Sequence, residues 1–123
     1  MKRITVEEAR RLLEHEGYRY VDVRTEIEFM AGHPAGAYNV PFPNDEFATV
    51  MRALFHEDDK IVIGCQGGQR SLRAAELLIA EGFSNVVEMR AGYGGMRNAF
   101  GQLKEAGWLA AGYPIDVKGP AKS

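Results

Sequence analysis

A single cysteine stands in the 123 residues of this chain, so no disulfide can form within it, and the expected setting is a reducing one, the cytoplasm. No apolar run approaches the roughly 18 residues that a membrane-spanning helix needs. The opening stretch, "MKRITVEEARRLLEHEG", is charged every few positions where a secretory signal would carry an apolar core. The expectation is therefore a chain with no membrane partner. Charge of one sign is not in excess either: 15 basic and 17 acidic residues are mixed along the sequence, for a formal net charge of -2. Without a basic stripe to follow a phosphate backbone, nucleic acid is not an expected partner. Three histidines and one cysteine, with no pair at zinc-like spacing, give no metal site.

What is present is the balance of a globular domain, 46% hydrophobic and 26% charged residues, in a length that fits one core. We read residues 1–117 as that domain, a monomer by default because no apolar stripe is left over, and 118–123 as a polar, frayed tail. Val6, Ala9, Leu12 and Leu13 recur at helical spacing behind a Thr5/Glu8 capping box, and Gly17 ends the helix. "YRYVDV" reads as a strand, Thr25 with Glu28 as a second capping box on a brief helix, and "AYNVPF" as another short strand. Asn44 is placed to cap a helix carrying Phe47, Val50, Met51, Leu54 and Phe55, and "HEDDK" is a solvated turn. "KIVIGC" is a continuous apolar run of strand length, "SLRAAELLIA" an amphipathic helix starting near Ser71, and "NVVEM" a further strand. A helix over Met96 to Ala106 completes the reading. Strands alternating with helices predict an α/β fold on a parallel sheet.

The chemistry concentrates in "CQGGQRS". An apolar strand ends on Cys65, at the strand terminus where ligands bind in such sheets. A thiol is only a few per cent thiolate at neutral pH and needs an anion-stabilising environment to act as a nucleophile. Gly67 and Gly68 permit the left-handed conformations of an amide nest, the following helix aims its positive end at the loop, and Arg70 adds a fixed charge. Cys65 is accordingly the candidate nucleophile in preference to a core thiol. Arg70 would orient an anionic substrate. Gln66 and Gln69 would line the cradle through their backbone N–H groups, and Ser71 would cap the helix and add a hydroxyl.

These residues carry a resemblance. "VDVRTEIEFMAGHPAGAYNVPF", "IVIGCQGGQRSLRAAELLIAEGFSNVVEM", "GYGGM" and "GWLAAGYPI" together resemble a single-domain rhodanese over roughly residues 5 to 115. The resemblance implies a three-layer fold with a five-stranded parallel sheet flanked by helices on both faces. It also implies a Cys65 that carries a persulfide between two half-reactions, with no cofactor. The expected donor is a small sulfur-bearing anion, thiosulfate first, and the acceptor a thiol or a protein. Two other readings stand beside this one: a non-enzymatic sulfur relay or regulatory binding module, and a phosphatase of the same fold. Against the phosphatase, Cys65 and Arg70 enclose four residues where those enzymes have five.

Asp22 and Arg24 match family positions that tie the strand end to neighbouring loops, and His33 one that fixes a turn. Pro34 and the late Trp108 depart from the usual pattern. The inserted segment around Met96 to Trp108 is expected close to the rim of the site.

Overall fold

In the computed structural model, which describes residues 1–117, the first half of the chain forms β1 (Lys2–Ile4), α1 (Val6–His15), β2 (Arg19–Asp22), α2 (Glu26–Met30), β3 (His33–Pro34) and β4 (Tyr38–Asn39). The second half forms α3 (Phe47–Leu54), β5 (Lys60–Gly64), α4 (Gln69–Ala80), β6 (Asn85–Met89), β7 (Met96–Arg97), β8 (Leu103–Glu105) and β9 (Ile115–Asp116). The main sheet has five parallel strands in the order β1-β6-β5-β2-β4, and two short antiparallel ladders, β3 with β9 and β7 with β8, lie outside it. This is the α/β architecture expected from the alternation of strands and helices. No described helix is long and apolar enough to cross a membrane.

The continuous apolar run of β5 follows from its central place. Successive strand side chains point to opposite faces, and both faces of this sheet are covered. Ile61 and Ile63 pack with Phe47 and Met51 of α3 and with Ala74, Ala75 and Leu78 of α4. Val62 packs on the other side with Val6 and Ala9 of α1, Phe29 of α2, and Trp108. Two half-cores, one on each side of the sheet, thus hold β5 rigidly, and its carboxyl end delivers Cys65 to a fixed point.

Both capping boxes close. Thr5 Oγ1 accepts from the Glu8 amide at 3.1 Å while Glu8 Oε1 accepts from the Thr5 amide at 3.0 Å, and Thr25 with Glu28 repeats the pattern. Caps of this kind contribute about 1 kcal/mol each. Gly17, at φ 75°, ends α1 as expected.

Four local readings are corrected. Asn44 does not cap α3: its Oδ1 accepts from the Glu46 amide at 2.8 Å in a turn of its own, and the helix starts two residues later with Glu46 as an N-cap that makes no side-chain bond. The helix after the cysteine begins at Gln69, so Ser71 lies inside its first turn and the N-cap is Gly68. Of the two loop glycines only Gly68 is left-handed, at φ 90°.

The largest correction is the segment from Met96 to Ala106, which is a hairpin of β7 and β8 and not a helix. Asn98 Oδ1 accepts from the amides of Phe100 and Gln102 at 2.9 and 3.0 Å, and Gly101 sits at φ 79°. Asparagine and glycine thereby supply a turn that overrides the helical spacing of the apolar residues. β1 was not read from the sequence at all. Its three residues have no strength of their own and become a strand by pairing along β6, Lys2 opposite Val87 and Ile4 opposite Met89. The tail at 118–123 lies outside the described residues.

Candidate active site

The loop from Cys65 to Gly68 turns the chain from β5 into α4, and its geometry is set from behind. The Cys65 carbonyl accepts from the Tyr93 amide at 2.8 Å and the Gln66 carbonyl from the Gly94 amide at 2.9 Å. Arg3 Nη2 donates to the Gly68 carbonyl at 3.0 Å. In a trans peptide the carbonyl and the next N–H point in opposite directions. Drawing these three carbonyls away therefore turns the N–H groups of Gln66, Gly67 and Gln69 towards the other side of the loop. Gly68 N–H donates to Cys65 Sγ at 3.1 Å. Gly92, at φ 66°, is the glycine that lets the supporting segment come so near: a Cβ there would overlap the carbonyls of Cys65 and Gln66.

Cys65 is 2% exposed and its neighbours on the core side are apolar, yet its sulfur meets polar groups. Besides the Gly68 amide, the Ser71 hydroxyl lies 3.2 Å away. Ser71 is buried and donates to Glu88 Oε2 at 2.5 Å, and Glu88 Oε1 is bonded by Arg3 Nε at 2.5 Å. Arg3, Glu88 and Ser71, from β1, β6 and α4, thus converge behind the sulfur. The sequence reading missed Arg3 and Glu88. The available signal was an acid inside the otherwise apolar "NVVEM", a position that burial makes costly unless a cation and donors meet it.

In front of the sulfur is an open cleft of about 410 Å³ lined by Cys65, Gln66, Gly67, Gln69, Arg70, Gly94, Gly95, Arg97 and Asn98. Arg70 reaches it, but the guanidinium is bound by two hydrogen bonds to Glu28, at 2.7 and 3.0 Å. These bonds hold the Glu28 carboxyl down at about 2, with the Thr25 amide helping. Arg97 and Asn98 come from the hairpin and were hidden by the helical reading of that segment.

Asp22 and Arg24 stand to one side as a buried clamp. Arg24 is 3% and Asp22 0% exposed. Arg24 Nη2 donates to Asp22 Oδ2 at 2.7 Å and to the Gly32 carbonyl at 2.7 Å, while Nη1 donates to Gln66 Oε1 at 3.1 Å. The guanidinium also lies 4.5 Å from the Tyr93 ring centroid. Burying two charges costs several kcal/mol, and such a pair persists only when its hydrogen bonds are complete, as here. The clamp ties the end of β2 to the cysteine loop and touches the cleft only through Gln66. His33 is buried too, its Nδ1 at 2.7 Å from the Phe29 carbonyl and its ring stacked on Phe29, away from the cleft.

A family model described as a rhodanese-like domain matches residues 5–99. The chain is 37% identical over 126 residues to thiosulfate sulfurtransferase 18 of Arabidopsis thaliana, covering 94% of this chain and 83% of that protein. It is 39% identical over 92 residues to the senescence-associated protein DIN1 of Raphanus sativus, covering 68% of this chain but only 50% of that protein, so it spans about half that relative's length. Among solved structures, the human single-domain sulfurtransferase superposes with a TM-score of 0.66 at 29% identity, over 76% of this chain and 92% of that one.

Proposed function

The chain belongs to the rhodanese-like domain family, and on that premise we propose that it is a sulfurtransferase working through a persulfide on Cys65, with thiosulfate as its donor. The observation that carries this reading is the turned loop: a buried sulfur that meets the Gly68 amide while the nearby carbonyls are drawn off to Tyr93, Gly94 and Arg3. Such a surrounding favours negative charge on sulfur, which a core thiol has no use for. That relatives of similar length carry the name sulfurtransferase supports it further.

The reaction is a double displacement. Cys65 thiolate attacks the outer sulfur of thiosulfate, a new S–S bond forms, and the bond to the sulfonate sulfur breaks with sulfite leaving as the electron-pair carrier. An acceptor nucleophile, a small thiol or a thiol of another protein, then attacks the outer sulfur and Cys65 leaves as thiolate. With one cysteine in the chain, the sulfur passes to another molecule and not to a second thiol within. Inward N–H groups would hold the terminal sulfur of the persulfide. Because Arg70 is engaged by Glu28, Arg97, which is held by the Gly101 carbonyl and pairs with no carboxylate among the described residues, would meet the donor's sulfonate.

The test is intact mass after incubation with thiosulfate. A gain of one sulfur atom, removed by cyanide or a thiol, is expected. No gain from thiosulfate but a gain from a protein persulfide would replace the enzyme by a relay; no gain from either would overturn the reading.

A further inference from the structure

Glu88 is wholly buried beside the reactive sulfur, and the double displacement gives it no task. Its Oε2 accepts the Ser71 hydroxyl at 2.5 Å, and Ser71 Oγ lies 3.2 Å from Cys65 Sγ. A serine hydroxyl has one proton to donate. With that proton directed at Glu88, Oγ turns a lone pair to the sulfur, and the thiol S–H donates to it. The three groups then form a chain along which a proton can leave the sulfur without meeting solvent.

We propose that Glu88, acting through Ser71, takes the proton of Cys65 as the thiolate forms. The S–H bond breaks as its proton passes to Ser71 Oγ, and the original hydroxyl proton passes to Glu88 Oε2. Ser71 ends as a hydroxyl donating to the thiolate, Glu88 as a neutral acid, and no oxidation state changes. Glu88 is thus a positioning and proton-holding residue that never touches the donor. The inference rests on the proposed function in one respect, that Cys65 reacts as a thiolate.

Arg3 makes the transfer feasible. Its Nε bonds Glu88 and its Nη2 bonds the Gly68 carbonyl in the loop that cradles the sulfur. Negative charge moving from the carboxylate to the sulfur therefore stays beside the same guanidinium. Both Glu88 and Cys65 raise the proton affinity of Arg3, the hydrogen bond it donates to Glu88 most. Other charged or titratable groups facing the chain are Tyr20 and the Asp22–Arg24 pair at the end of β2, Glu105 of β8, and Arg70 of α4, itself paired with Glu28. Burial holds the Tyr20 hydroxyl far above its ordinary range, so it stays neutral throughout.

An internal acceptor leaves a signature that charge or packing alone does not. Coupled groups share their protons, so while the pair holds a single proton between them some molecules carry thiolate beside protonated Glu88. The rate of alkylation then levels to a floor towards acid. An isolated thiol has no such floor and slows about tenfold for each pH unit below its titration.

The experiment is alkylation of Cys65 by iodoacetamide from about pH 5 to about pH 8, followed by mass, for the wild type, Glu88→Gln and Ser71→Ala, over the range where an unassisted thiol would lose about tenfold per unit. The wild type is expected to level off, Glu88→Gln to keep falling about tenfold per pH unit, and Ser71→Ala to lower the floor about tenfold. A wild type without a floor, or a floor retained in Glu88→Gln, overturns the proposal. If Glu88→Gln does not fold, Ser71→Ala decides alone, and an unchanged floor overturns it. Sulfur loading from thiosulfate, run in parallel, separates the two readings: loading without a floor removes the Glu88 role only, whereas a floor without loading removes the sulfurtransferase and leaves the proton chain.

Discussion

The guanidinium of Arg70 closes on the carboxylate of Glu28 through two hydrogen bonds of 2.7 and 3.0 Å, joining the first turn of α4 to α2. The cation that follows Cys65 in the loop is thereby neutralised where it meets the cleft. Arg97, brought in by the β7–β8 hairpin, stands at the same mouth, its Nη1 donating to the Gly101 carbonyl at 2.9 Å and its guanidinium facing no carboxylate among the described residues.

Arg97→Ala is expected to raise KM for thiosulfate about tenfold, the scale of one charge-assisted contact, with kcat within about twofold because the residue lies outside the sulfur cradle. Steady-state kinetics with thiosulfate and with an uncharged organic persulfide check this. An equal KM change for both donors would show that the arginine does not read charge.

Cys65→Ser is expected to abolish sulfur loading while leaving the fold in place. The change removes little volume from the core cluster that Cys65 shares with Val23, Ile63 and Ala74, and a hydroxyl can still pair with Gly68 N–H and Ser71. Intact mass after thiosulfate treatment and a thermal melt measure the two halves; a melt lowered by many degrees would show that the site cannot hold an oxygen.

Gly68→Ala should destabilise the protein by about 1–3 kcal/mol, the usual cost of a non-glycine residue in a sparsely populated backbone region. At φ 90° the new Cβ would also overlap the Arg90 carbonyl. Displacing the loop moves the Gly68 amide off Cys65 Sγ, so iodoacetamide alkylation at neutral pH should slow together with the loss of stability in urea. Stability lost without any change in alkylation would separate the backbone strain from the sulfur's surroundings.

Asp22→Ala leaves Arg24 buried without its counter-charge and should cost about 3–5 kcal/mol in urea unfolding. Because Arg24 also holds Gln66 Oε1 at 3.1 Å, sulfur loading by the molecules that remain folded should slow as well. A loss under about 1 kcal/mol would mean that the clamp is far more solvated than its burial indicates.

Acid stability should depend on Glu28. Its folded-state carboxyl lies at about 2 against an ordinary 4.5, chiefly through Arg70. A depressed carboxyl contributes stability that is complete above its unfolded value and disappears as pH falls through its folded value. Between pH 4.5 and about 2 the wild type should therefore lose more stability than Glu28→Gln. Urea titrations across that window read the difference; parallel curves would show that the pair is screened at the surface.

Much of this molecule could be read in one dimension because its determinants are local. The Thr5/Glu8 and Thr25/Glu28 caps, the apolar run Ile61–Ile63 and the glycine after α1 act within four residues of themselves, and they closed as expected. The hairpin escapes apolar spacing because two turn residues decide it, Asn98 through its side-chain bonds and Gly101 through its positive φ.

By itself, then, the sequence determined the alternation of helices with main-sheet strands from α1 to β6, and it put a lone thiol with two glycines and an arginine at the end of a strand buried on both faces. Only the tertiary structure decided what the thiol meets. Arg3 lies 85 residues from Glu88, Glu28 lies 42 from Arg70, and Arg24 lies 42 from Gln66. A charge buried at such a distance from its partner has no local pattern to announce it, because the free energy that keeps it there comes from desolvation and pairing that exist only once the sheet has assembled.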